Sequence, residues 1–360
     1  MTMRSVGALR IGVDLSIERH GLSGSRRWAN GLVTALQRRS DTVVRPWLGP
    51  PRRSWRNPAR KFVNAAQERY FYELWLPSVA RRWRADVLMM PVNMTARRTA
   101  IPQVVSILDV NFLSEPDAYD SWFRRYATRM FARAARDAAI VTTISEFSQG
   151  QIAEWLGIPA ERIHVVYPGL DAPLLRPGPP PIPEEYALFV GVTEPHKNVD
   201  LLLDAWSGIQ APPLRLVITG KPGRAHSRIT ERAARLGGRV IVTGQVSDLE
   251  LESWYAGARI FLFPSLAEGF GYPPLEAMQR GIPVISSNVA SMPEVLGDAA
   301  LYHGPRDVAT LLSHIAAMTT NMQLREQFQE AGRKRSGAFT WLATADRMME
   351  LLRSAAQSVS

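Results

Sequence analysis

The segment Glu268-Gly269-Phe270-Gly271-Tyr272-Pro273-Pro274-Leu275-Glu276 holds two carboxylates eight residues apart, with glycines between them. It follows an apolar run ending at Pro264 and precedes a stretch that reads as a helix, starting near Pro273 or Pro274 and stopping at Gly281. Loop glycines let backbone approach a ligand closely, and a helix start offers unpaired N–H groups to an anion. Glu276, in the first helical turn, is placed to accept hydrogen bonds from sugar or ribose hydroxyls, and Glu268 to face the same pocket from the loop. A plain structural reading fits as well, with Glu276 stabilising the helix dipole and Glu268 a solvated loop acid.

Other catalytic chemistry is largely excluded. The 360 residues include no cysteine, which rules out disulfides, thiolate zinc sites, cysteine-ligated iron–sulfur clusters and a cysteine nucleophile. No Asp-x-Asp, G-x-S-x-G or Walker sequence occurs, and the six histidines lack metal-ligand spacing, so no metal is expected. Apolar runs fall far short of the ~18 residues that cross a bilayer. The N-terminal stretch lacks the small-residue cleavage site of a secretory signal. The expectation is a cytoplasmic protein.

These groups must be carried by a regular scaffold. The hydrophobic fraction of 46% is ample for packed cores, and the length suggests two domains. Short β-rich runs alternate with amphipathic helices. In the first half, strands are expected at 9–15, 43–47, 85–89, 103–108, 140–144 and 163–167, with helices such as 26–37, 65–82 and 121–137 between them. In the second half they are expected at 187–192, 214–220, 239–244, 259–264, 283–287 and 299–302. Such alternation predicts an α/β fold of two doubly wound parallel sheets. Six prolines between Pro173 and Pro183 mark the seam. The expected parts are a first domain at 1–172, a linker at 173–184, a second domain at 185–337 and a closing helix at 338–360. Ligands of open parallel sheets bind beyond the carboxyl ends of the strands, so the chemistry belongs in the loops that follow them.

The ordered text resembles a known family. E-G-F-G-Y-P-P-L-E is similar to the Glu-x7-Glu signature of retaining glycosyltransferases, and VGVTEPHKN, VITGK, VTGQVSDLELESWYAGARIFLFPSLAEGFG and SNVASMPEVLGDAALYHGP resemble glycosyltransferase family 4 in its usual order. TISEFSQGQIAEWLGIPAERIHVVYPGLD does so in the first half. The resemblance implies a GT-B fold: two Rossmann-like domains facing across a cleft, the donor nucleotide-diphosphate sugar on the second, the acceptor on the first, and a C-terminal helix returning to the first. It implies that Glu276 binds ribose and Glu268 the sugar hydroxyls. Gly269, Phe270, Gly271 and Tyr272 would help hold the donor, and Lys197 would neutralise its diphosphate. No cofactor beyond the donor substrate is implied, and the family's proposed front-face mechanism needs no covalent nucleophile. Three positions depart from the pattern: Leu108-Asp109 where relatives often have His-Asp, His196 where many have Arg before the lysine, kept as a donor-binding candidate because a histidine there can still meet phosphate, and GLSGSRR in place of the glycine-rich first loop. Gly21, Gly24 and Asp109 are the acceptor or phosphate-loop candidates there.

Charge fits either an anionic partner or simply an arginine-rich composition, with 39 Arg against 4 Lys. Residues 1–170 carry 25 Lys and Arg against 14 Asp and Glu, a net of +11, and the remainder carries 18 against 19, a net of −1. Residues 45–62 combine six basic side chains with Trp47 and Trp55, a pattern that fits peripheral contact with an anionic membrane or an acceptor-binding loop. Taken together, the expected function is transfer of a hexose of mannose or glucose type to a glycan or lipid-linked acceptor. A small-molecule acceptor of antibiotic type is the alternative within the fold. Nucleic-acid binding is the alternative outside it, although no stacking platform or recognition helix supports that.

Overall fold

Strands such as Tyr186–Val190 and Val87–Met90 are buried at every position, which requires helices over both faces of a parallel sheet. The computed structural model describes residues 7–19, 23–51, 58–114, 121–173, 178–209 and 214–358. The first sheet contains β1 (Leu9–Asp14), β2 (Thr42–Trp47), β3 (Val87–Met90), β4 (Gln103–Ser106), β5 (Ile140–Thr143) and β6 (Ile163–Val165), in the order β2-β1-β3-β4-β5-β6. The second contains β7 (Tyr186–Val190), β8 (Arg215–Thr219), β9 (Val240–Gly244), β10 (Ala258–Phe263), β11 (Val284–Ser287) and β12 (Ala300–His303), in the order β12-β11-β10-β7-β8-β9. All neighbouring strands are parallel. Each of the twelve expected strands is present. In each sheet the order reverses beside the first strand, between β1 and β3 and between β7 and β10.

The chain divides into two units, residues 1–169 with 340–360 and residues 170–339. It leaves the first unit at Gly169, where an added Cβ would come within 2.6 Å of the Trp341 Cα. In the second unit the Leu170 N–H donates to the Phe339 carbonyl at 3.0 Å. Of the proline-rich stretch, the described end packs onto the second unit: a Cβ on Gly257 would come within 2.8 Å of Pro180.

The C-terminal helix, Trp341–Gln357, belongs to the first unit, as the resemblance implied. The Thr340 side chain caps it by accepting from the Ala343 N–H at 3.2 Å. Trp341 meets Trp28 with ring centroids 6.5 Å apart and lies over Gly31 of the helix Ser23–Gln37. On the other face, the helix Pro58–Tyr70 passes through a π-helical turn, Phe71–Trp75, into Leu76–Trp83. That turn accommodates one extra residue, so three consecutive side chains, Phe71, Tyr72 and Glu73, are buried. Tyr72 donates to the buried Asp14 carboxylate at 2.7 Å, and Glu73 pairs with Arg69 and Arg97.

The structure corrects one reading. Trp47 is 8% exposed, meets Trp83 edge-on and covers Gly12 of β1, so it fills the core and does not serve as a membrane anchor. Trp55, Arg52, Arg53 and Arg56 lie outside the described residues, as does the side chain of Arg60.

A methyl group at Gly31 would overlap the Trp341 indole. Gly31→Ala is therefore expected to lower unfolding stability by about 1–3 kcal/mol. Gly24→Ala, in the same helix with open space around it, should cost nothing. Denaturant titration of the two variants checks this.

Candidate active site

The loops after β7 and β10 leave the second sheet where its strand order reverses, the position at which open α/β sheets form a ligand crevice. After β7 the chain makes a short 3-10 turn, Pro195–Lys197, followed by Asn198 at φ 54° and the helix Val199–Gly208. After β10 it runs from Pro264 to Gly271 and enters the helix Tyr272–Gln279.

Three links close one loop on the other. The Leu266 N–H donates to the His196 carbonyl at 2.7 Å. The Asn198 amide donates to the carbonyls of Pro264 at 3.1 Å and Pro305 at 2.9 Å, the latter beyond β12. The Lys197 ammonium forms a salt bridge with Glu268, with side chains only 15% and 13% exposed. Lys197 also lies 5.4 Å from the centre of the Phe263 ring. Burial, reinforced by the Lys197 charge, holds His196 below the usual imidazole range and keeps it neutral at pH 7.

The Glu268 carbonyl accepts from the Ser291 hydroxyl at 2.9 Å, which fixes the loop from its far side. Gly271 has φ 87° and would place a Cβ 2.5 Å from the Met292 methyl, so the position demands glycine twice over. Phe270 is buried between Tyr272 and Phe339, at 5.3 and 5.4 Å. No side chain caps the helix that follows; with Pro273 and Pro274 next in line, Tyr272 carries the one N–H of its first three residues.

Glu276 is in the second turn of that helix, not the first, because the helix begins at Tyr272. Proline at its second and third positions obscured this start in the sequence. The Glu276 carboxylate accepts from the Tyr255 hydroxyl at 3.0 Å. Tyr255 is itself held by Arg280, whose guanidinium lies 4.6 Å from the ring centre, pairs with Glu252 and donates to the Glu276 carbonyl at 2.8 Å.

The second unit thus contains His196, Lys197, Glu268, Gly269, Phe270, Gly271, Tyr272 and Glu276 in loops and helix starts beyond the strands. Asp109 and Gly24 are in the first unit. The Asp109 carboxylate accepts from the Asn111 N–H at 3.2 Å, and Gly24 lies inside a helix start with no close neighbour. Gly21 lies outside the described residues. Asn198, Tyr255 and Ser291 were missed. Asn198 resembles an ordinary helix cap in sequence, and nothing distinguishes Tyr255 from a core aromatic.

Comparison with known proteins gives the family of the chain. Residues 22–173 match Glycosyltransferase Family 4, and residues 176–335 match glycosyl transferases group 1. The chain belongs to the family 4 glycosyltransferases. O-antigen chain mannosyltransferase B of Escherichia coli is 32% identical over 257 residues, 66% of this chain and 66% of that protein. The serotype-specific mannosyltransferase WbdA of Escherichia coli is 31% identical over 176 residues, 47% of this chain and 22% of that protein. These alignments span less than two thirds of either relative. Sucrose-phosphate synthase from Thermosynechococcus elongatus aligns over 96% of this chain and 98% of its own, with TM-score 0.78 and 18% identity. Anabaena HepE in complex with UDP-glucose aligns over 96% and 100%, with TM-score 0.69 and 17% identity. The shared fold is GT-B.

Asn198→Ala loses both side-chain hydrogen bonds and puts alanine at a positive φ. We expect a loss of about 1–3 kcal/mol in unfolding free energy. Asn198→Gly, which loses the bonds without the backbone strain, should recover roughly 1 kcal/mol of it. An alanine variant as stable as the parent in urea would show that the link between the loops carries no weight.

Proposed function

We propose that this family 4 glycosyltransferase moves mannose, with retention of configuration, from a nucleotide-diphosphate sugar to a glycan or lipid-linked acceptor in polysaccharide synthesis. One observation carries the reading. The two loops at the switch point of the second sheet hold Lys197 against Glu268 beside an uncapped helix start. The names of the two similar mannosyltransferases support mannose, and that of the O-antigen chain enzyme supports a polysaccharide product. The UDP-glucose bound by HepE supports a nucleotide-sugar donor.

In this reading a diphosphate replaces the carboxylate as the partner of Lys197. Glu268, released from the ammonium, then accepts hydrogen bonds from sugar hydroxyls. Glu276, oriented by Tyr255, takes the ribose. Helix N–H groups at Gly271 and Tyr272 add donors for the anionic part. As the acceptor oxygen bonds to the anomeric carbon, the bond to the donor's phosphate oxygen breaks, and that leaving group gains negative charge beside Lys197. The acceptor proton passes to a donor phosphate oxygen, so no side-chain nucleophile is required. Among the described residues no three of His, Asp and Glu gather as they would around a metal ion.

A panel of nucleotide sugars screened for thermal stabilisation tests the donor. A ligand at 100 times its dissociation constant adds about 2.7 kcal/mol, and a mannose donor should give the largest shift. No shift with any nucleotide sugar overturns the proposal. NMR of the product anomer decides retention. Lys197→Ala and Glu276→Ala should each lower transfer by about 10²–10³-fold without loss of fold. Activity should also persist in excess chelator, whereas loss restored by manganese or magnesium would refute metal independence.

A further inference from the structure

In the loop after β10, the stretch Gly269-Phe270-Gly271 carries a single side chain. Glycine on either side leaves the backbone wide conformational freedom, so the packing of Phe270 decides how the neighbouring N–H groups are presented. The buried Phe270 ring meets two others edge-on. Tyr272, at 73°, opens the helix that follows and belongs to the loop's own path. Phe339, at 75°, comes from the far end of the second unit and holds the ring from outside.

Phe339 is itself firmly placed. It is buried, and the Arg335 guanidinium lies 5.1 Å from the centre of its ring. Arg335, in the last turn of the helix Met322–Ser336, donates to the carbonyls of Val295 at 2.8 Å and Glu294 at 2.5 Å, which ties the cation to the helix Met292–Leu296. The start of that helix touches the same loop, since the Ser291 hydroxyl donates to the Glu268 carbonyl and the Met292 methyl lies over Gly271. In the backbone, the Phe339 N–H donates to the Ser336 carbonyl at 3.1 Å and its carbonyl accepts from Leu170, where the chain enters and leaves the unit. An aliphatic side chain could fill the same volume, but it would not supply the edge-on contact that sets the angle of the Phe270 ring. We propose that Phe339 is a positioning residue for the donor: through Phe270 it holds the Gly269–Gly271 backbone in the shape that receives the nucleotide sugar. This rests on the donor reading above and adds to it a residue that touches no substrate.

The test compares the full chain with Phe339→Leu, with Phe339→Tyr and, as a control, with Trp206→Phe, which alters a buried ring in the last turn of the helix Val199–Gly208. GDP-mannose and UDP-glucose are titrated by calorimetry, and amide hydrogen exchange over residues 264–272 is read without ligand. Phe339→Leu loses the edge-on contact and should weaken nucleotide-sugar binding about three- to tenfold, with faster exchange over the loop. Phe339→Tyr, which keeps the ring, and Trp206→Phe should match the parent in both readouts. Equal affinity in Phe339→Leu and the parent overturns the proposal. So does an equal loss in Trp206→Phe, the mark of general destabilisation. If the parent binds neither nucleotide sugar, the donor reading fails and exchange decides alone: faster exchange in Phe339→Leu supports the hold on the loop, and unchanged exchange overturns it. Should Phe339→Leu misfold, Phe339→Met, which also lacks a ring, is judged by the same outcomes.

Discussion

Everything in the second unit is organised around the divergence of two chain paths. The helix after β7 departs toward β8, and the helix after β10 departs toward β11, so the sheet opens between them. A crevice of this kind gains definition only when its two lips are tied. Here backbone ties them first, through Leu266 and His196, and the Asn198 side chain ties them again. The Lys197–Glu268 pair is then held partly out of water, where its attraction exceeds that of a solvated pair but must offset two desolvation costs.

Much of this was legible in the sequence, for reasons that can be named. Strands buried on both faces announce themselves as apolar runs, and the glycine before and after a short helix bounds it, as Gly271 and Gly281 do. The Glu268–Glu276 spacing and the text around it pointed to the loop after β10, which leaves the second sheet beside the reversal of its strand order. What was missed shares a different character. The salt bridge between Lys197 and Glu268 joins residues far apart in sequence, and the use of Asn198 to bind two distant carbonyls leaves no periodic trace. The π-helical turn at Phe71–Trp75 was invisible because its pattern of Tyr72, Trp75 and Leu76 also suits an ordinary helix. Trp47 was misjudged because a basic neighbourhood says nothing about the direction of one side chain at a strand end.

The charge asymmetry acquires a structural explanation. In the second unit Arg224, Arg228, Arg232, Arg259 and Arg280 are each matched by an acid, and the net charge nearly vanishes. In the first unit Arg39, Arg69, Arg97 and Arg133 are paired in the same way, so the surplus lies among its remaining basic residues.

The two passages of the chain between units have an evolutionary reading. The second unit begins at Leu170 and ends at Phe339, and these ends share a hydrogen bond of 3.0 Å. Topologically it is an uninterrupted insertion into the first unit, spliced between Gly169 and Thr340. Inserted modules whose ends meet can be exchanged without moving the host's own termini. The chain is therefore built as a host that the second unit enters and leaves at two neighbouring points, while the host keeps its C-terminal helix.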